Sequence, residues 1–282
     1  MAKPRSGRHF VCAEGRGNFV QVTANMMNFR EALIATYCEN PCQVLPNALW
    51  KTLSWLDGWR SSFNVENDVV THLESWNENR LMLYWSRSRE QLPNLSQNLD
   101  FALVHQDYLP SFPVSKFAVQ TPYFRLIHKA DETEQLVHLP QGFAFVDVNV
   151  FQEVDAIASL IGQCYPDLQP DAETVKGWFE HPTFDSSLWI WVMDVAKGIP
   201  VGLGIAELDE TIQEGSLEWI QVLPAYRGLG LGKSIVQRLL LRFGKRVKFT
   251  TVSGEADNTT RPEALYRSCG FKGIDVWWLL SQ

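Results

Sequence analysis

The chain is predicted to be an α+β (mixed α/β) protein laid out as two successive regions, residues 1–138 and 139–282. Three observations carry this. Strand-like runs such as "SLWIWVMDV" (187–195) and "VGLGIAELDE" (201–210) are joined by the turn residues "AKGIP", a meander signal. Helical stripes lie between the strands; in the clearest, Ile235, Val236, Leu239, Leu240 and Phe243 oppose Lys233, Gln237, Arg238 and Arg242. Glycine is also unevenly divided. Residues 1–141 hold only Gly7, Gly15, Gly17 and Gly58, so tight turns and close backbone approach to a ligand belong mainly to the second region.

The totals narrow the function classes. A chain of 282 residues, 45% hydrophobic and 20% charged, has the composition of a folded globular protein. Its net charge of −7 argues against a nucleic-acid-binding face, so no nucleic-acid partner is expected. No run approaches the roughly 20 apolar residues that cross a bilayer, so no membrane partner is expected either. The opening "MAKPRSGRHFVCAEGRGNF" has positive charge but no apolar segment behind it, which argues against a secretory signal. The scattered thiols (Cys12, Cys38, Cys42, Cys164, Cys269) read as packing residues without a metal site, in a reduced, cytoplasmic setting. Most of the negative charge falls in 142–282; steering of a cationic substrate and a plainly solvated surface explain it equally well.

In the first region "NFREALIATYCEN" and "NALWKTLSWLDGWR" carry helical stripes, and "NDVVTHLESW" reads as a third short helix. "LMLYWS", "DFALVH" and "YFRLIH" read as strands. The polar run "HKADETEQ" (128–135), followed by Pro140, marks the boundary. The second region is more regular and gives the order β-α-α-β-β-β-α-β-α-β. Gly244 is expected to close the helix that begins near 231. Thr260 and Glu263 read as a capping box, with Pro262 in the first turn of the helix "RPEALYRSC".

The segment that carries chemistry is "VLPAYRGLGLGKSIVQRLL" (222–240), which joins a strand to that helix. A Walker A loop needs a glycine at 227, where Arg stands, and too little chain follows for the rest of an NTPase core. The dinucleotide fingerprint needs a glycine at 233, where Lys stands, and a meander rather than an opening βαβ unit precedes the loop. What fits is Arg-x-x-Gly-x-Gly at Arg227, Gly230 and Gly232. Such a loop turns backbone N–H groups toward one point at a helix N-terminus, which carries about half a positive charge. A pyrophosphate suits it, with Gly228, Gly230 and Gly232 admitting close approach and Arg227 and Lys233 adding charge.

This motif, followed by "LYRSCGF" with Tyr266 and Gly270-Phe271, resembles the acetyl-CoA-binding core of the GNAT superfamily of N-acetyltransferases over residues 142–282. The resemblance implies a central mixed, mostly antiparallel sheet, acetyl-CoA as co-substrate and no metal. It implies that Gly228, Leu229, Gly230, Leu231, Gly232, Lys233 and Ser234 with Arg227 line the pyrophosphate. It further implies that the strands "LEWIQVL" and "KFTTVSG" splay apart and that backbone N–H groups near Ile220 and Val222 face the acyl carbonyl. Tyr266 matches the tyrosine that protonates the departing thiolate. Asn258 resembles the asparagine beside the coenzyme arm, with a turn-forming Asn as the alternative.

The general base is assigned to Glu218, on the strand bordering the cleft, with Asp194, Glu207 and Asp257 as alternatives. The expected activity is transfer of an acetyl or other short acyl group from CoA to a primary amine, carried by a small molecule or a peptide, by direct attack in a ternary complex. The competing reading is a non-catalytic acetyl-CoA-binding sensor. The first region is left without a role; a degenerate copy of the same fold, serving as substrate wall or dimer surface, is one option, and a homodimer stays open.

Overall fold

The computed structural model describes residues 27–88, 93, 99–130, 137–165 and 168–282. The N-terminal stretch with Cys12, and residues 131–135 of the "HKADETEQ" run, lie outside them. Among the described residues no helix is long and apolar enough to cross a membrane.

The first half opens with three helices, α1 (Phe29–Glu39), α2 (Pro41–Val44) and α3 (Leu49–Trp55). The side chain of Asn28 accepts from the N–H of Glu31, and the Glu31 carboxylate accepts from the N–H of Asn28. This reciprocal cap starts α1. Strands β1 (Arg60–Glu66), β2 (Val69–Asn77), β3 (Arg80–Ser86), β4 (Phe101–His105) and β5 (Val119–Lys129) follow. The expected third helix at "NDVVTHLESW" is instead β2. Asn67 and Asp68 both take positive φ (51° and 62°), the two-residue turn that suits a hairpin, and β-branched Val69, Val70 and Thr71 favour the strand behind it.

In the second half come β6 (Phe143–Asp147), α4 (Val154–Cys164), α5 (Ala172–Gly177), β7 (Trp189–Asp194), β8 (Ile199–Asp209) and β9 (Glu214–Val222). After them come α6 (Leu231–Phe243), β10 (Phe249–Glu255), α7 (Pro262–Arg267) and β11 (Lys272–Ser281). Gly244 closes α6 at positive φ, as the sequence predicts. The capping box at α7 does not form. Its N-cap is Arg261 in a left-handed conformation, Thr260 turns back to Asn258, and Glu263 pairs with Arg267.

All eleven described strands join one mixed sheet in the order β1-β2-β3-β4-β11-β5-β10-β9-β8-β7-β6. Only β3/β4 and β9/β10 run parallel; every other pairing is antiparallel. The two halves follow the same course. Each has a three-stranded meander (β1–β3 and β7–β9, the latter extended by β6 at the edge), a strand parallel to its last member (β4 and β10), and a last strand that crosses to the other half. Thus β5 lies between β10 and β11, and β11 lies between β4 and β5. The exchange pairs strand edges that each half would otherwise expose.

Helix α6 lies close against β8 and β9. A Cβ on Gly204 would stand 2.4 Å from Ile235, and one on Gly215 would stand 2.6 Å from Phe243. These second-region glycines therefore serve helix-on-sheet packing, not a ligand. Ile235, Leu239 and Phe243 are fully or nearly fully buried, each contributing on the order of 1.5–3 kcal/mol, so the loop before α6 is held on a firm base.

Candidate active site

The loop between β9 and α6 is built as the sequence predicts at its glycines. Gly228 and Gly230 take φ of +79° and +83°, which a side chain resists, and a Cβ on either would point into open space. From Gly228 to Lys233 no backbone N–H meets an acceptor among the described residues; the first N–H used is that of Ser234, on Gly230 O. Six successive donors are thus free around the N-terminus of an amphipathic helix, a nest suited to an anion. Gly228, Leu229, Gly230 and Lys233 are exposed, whereas Leu231 is buried in the core and Gly232 packs beside Leu265.

Two side chains of this group have other work. Arg227 donates from Nε to Val222 O (3.2 Å) and from Nη2 to Cys164 O (3.0 Å), bracing the loop against the end of α4. Ser234 is buried, and its hydroxyl lies 2.6 Å from His138 O and 3.1 Å from Gly230 O. Both hold the loop in shape, Ser234 through its hydroxyl and Arg227 through Nε and Nη2.

The predicted splay is present. β9 and β10 pair only over Glu214–Ser216 and Phe249–Thr251, and then separate. On its other edge β9 stays paired with β8, Ile220 opposite Gly204 and Val222 opposite Gly202. That register slips by one residue between Trp219 and Leu217, so Glu218 is the extra residue of a β-bulge at the point where the strands part. Its Oε1 accepts from Ser216 Oγ at 3.0 Å, and its Oε2 is bound by the ammonium of Lys51.

Around Glu218 the structure gathers Glu207, one of the alternative bases, and three groups that sequence reading missed, His181, Trp50 and Lys51. Glu207 is buried on β8, where its Oε1 meets His181 Nδ1 at 2.7 Å. Burial, and then the nearby Glu218 charge, raise the Glu207 carboxyl above the ordinary glutamate range, against the opposing pull of His181 and Lys51. The His181 ring packs on Trp50 with centroids 4.5 Å apart. Trp50 and Lys51 belong to α3, so the first half walls this side of the cleft. No motif marks them, because their role comes from contacts of α3 with β9 and with His181, distant in sequence. Asp194, an alternative base, is bound to Tyr226 and Lys197 instead, and Asp257 lies beyond the end of β10.

Tyr266 on α7 is 8% exposed, packed against Phe124 and Phe271 with centroids 6.1 and 5.8 Å away. Its hydroxyl makes no hydrogen bond among the described residues. Burial first, then the charges of Tyr165, Cys269 and Glu218, push its phenol well above the usual value, so it stays protonated. Asn258 forms a turn; its Oδ1 accepts from Thr260 N (2.9 Å) and Thr260 Oγ1 (2.7 Å). Cys269 is buried and its thiol is raised by desolvation, a poor nucleophile. Among the described residues no cluster of His, Cys, Asp and Glu is placed to hold a metal.

Residues 185–273, which span β7 to α7 and hold the loop, the splay and Tyr266, match the family model for the acetyltransferase (GNAT) domain. Among curated proteins none matches the sequence. The fold is shared with a GCN5-related N-acetyltransferase from Sphaerobacter thermophilus, at 14% identity and a TM-score of 0.64, over 89% of this chain and 90% of that one. It is shared with a GNAT-family acetyltransferase from Colwellia psychrerythraea, at 12% identity and a TM-score of 0.58, over 89% and 96%. A tandem GNAT protein from the clavulanic acid biosynthesis pathway aligns at 12% identity with a TM-score of 0.53, over 88% and 91%. At such identities the likeness is one of fold. The chain thus has the GNAT acetyltransferase fold, and the match to that family's domain model is centred on residues 185–273.

Proposed function

We propose that this protein transfers an acetyl or other short acyl group from coenzyme A to a primary amine, by direct attack in a ternary complex. The observation that carries the reading is the run of free backbone N–H groups from Gly228 to Lys233, set directly after the strand that bears the Glu218 bulge. The nest fits a pyrophosphate, and the splay between β9 and β10 leads from it toward Glu218. Acyl-CoA supplies the activated thioester carbonyl.

The chain's own residues would then divide the work. Backbone N–H groups of Gly228 to Lys233 hold the anion, with Arg227 and Ser234 fixing the loop. The unpaired edge of β9 near Ile220 and Val222 faces the acyl group. Glu218 receives the proton of the acceptor ammonium. Tyr266, kept protonated by its burial, gives a proton to the leaving sulfur. Asn258 shapes the turn that leads into α7. The first half acts as a degenerate second copy. Its β3 and β4 also part after a short parallel pairing, and Tyr108 reaches to the end of β3, donating to Ser86 O at 2.7 Å.

Thiol release from acetyl-CoA, measured with the full chain against a panel of amines, amino acids and aminoglycosides, tests this. Amine-dependent release is expected. Tight binding of acetyl-CoA with no transfer to any amine would make the protein an acyl-CoA-binding module instead.

A further inference from the structure

Lys51 reaches from α3, in the first half, to Oε2 of Glu218 at the bulge where β9 leaves β10. Its Nζ also lies 5.7 Å from the centroid of the Trp50 ring. The contact is not locked in the core, since the Lys51 side chain keeps 34% exposure and that of Glu218 17%. An ion pair of this kind contributes only about 0–1 kcal/mol, so fold stability gives little reason for a long lysine to reach into the cleft. The position has a chemical meaning. If Glu218 takes the proton of the acceptor amine, then a primary ammonium already sits on it, and that ammonium is the chain's own.

We propose that Lys51 is itself an acceptor, so that the protein acylates its own Lys51 side chain from acyl-CoA. The inference rests on the reading of Glu218 as base in an acyltransferase cleft. In this step the Lys51 ammonium passes one proton to the Glu218 carboxylate, and the freed Nζ attacks the thioester carbonyl. A carbon–nitrogen bond forms and the carbon–sulfur bond breaks. The second nitrogen proton replaces the one that Tyr266 gives to the thiolate, and the proton on Glu218 leaves to solvent. The products are an Nζ-acyl amide at Lys51 and free coenzyme A thiol. Attack within one folded chain brings the advantage of proximity over a lysine that meets acyl-CoA by collision.

The test is peptide mass spectrometry of the full-length chain after timed incubation with acetyl-CoA. Lys51 is expected to gain one acetyl group well before the exposed Lys129 and Lys245, at a rate independent of protein concentration. Glu218→Gln is expected to slow that labelling by about 100-fold, the scale of a lost general base. Labelling of Lys51 no faster than of Lys129 and Lys245 overturns the proposal, as does labelling indifferent to Glu218→Gln. Thiol release with external amines, run in parallel, separates the failures. Turnover of an amine without Lys51 labelling overturns self-acylation alone, whereas acetyl-CoA binding with neither overturns the transferase reading as well.

Discussion

Arg125 and Glu214 face each other 3.5 Å apart, one on the last strand of the first half and the other on β9 of the second. Tyr37 closes the group from α1, donating to Glu214 Oε1 at 2.6 Å and accepting from Arg125 Nη2 at 2.9 Å. All three are buried. Burying two charges costs most of what their attraction returns, but removing one partner leaves the other stranded. Arg125→Met is therefore predicted to lower unfolding free energy by about 3–5 kcal/mol in urea titration. Adding Glu214→Gln to it is predicted to recover part of the loss, because the stranded charge is gone.

Tyr266→Phe is predicted to separate turnover from binding. The ring packs between Phe124 and Phe271, and its hydroxyl makes no hydrogen bond among the described residues, so phenylalanine leaves the packing intact. Loss of a general acid costs on the order of 100-fold or more in rate. Steady-state kinetics should show kcat falling by about that factor, with acetyl-CoA affinity unchanged in a parallel titration.

Glu207 gives a pH signature. Burial raises its folded-state affinity for a proton, so between the ordinary glutamate value, about 4.3, and the raised one the folded state binds a proton that the unfolded state has released. Its contribution is full below that window and is lost as pH rises through the folded value. Urea unfolding across a pH series should show the native chain losing stability relative to Glu207→Gln over that window. A constant difference between the two would refute this.

Much of this was legible in the sequence because it is local. Glycines at 228 and 230 are demanded by positive φ in the loop itself, and the stripe from Ile235 to Phe243 marks the buried face of α6. Other features are not local. β2 lacks the polar–apolar alternation of a half-buried strand, because polar His72, Glu74 and Ser75 are buried along with Leu73; its strand state is set by the Asn67-Asp68 turn and its neighbours β1 and β3. Strand exchange leaves no composition signal, since β5 and β11 look alike wherever they pair. The Lys51 contact to Glu218 joins residues distant in sequence, and nothing near Lys51 announces it. Arg227 matches its motif, yet its guanidinium also braces the loop through the carbonyls of Val222 and Cys164, and the contact to Cys164 is one that no local pattern announces.

The most direct test of the central claim is calorimetric titration of acetyl-CoA into the native chain and into Gly230→Val. A β-branched residue at φ +83° is strained by roughly 1–2 kcal/mol and reshapes the row of N–H donors, while the packing of α6 on β8 is untouched. The native chain is predicted to bind one acetyl-CoA per chain, and the variant to bind at least about tenfold more weakly, which corresponds to 1.4 kcal/mol, with a folded thermal transition retained. Equal affinity in the two proteins, or no binding by the native chain, would contradict the assignment of this loop as the coenzyme A site.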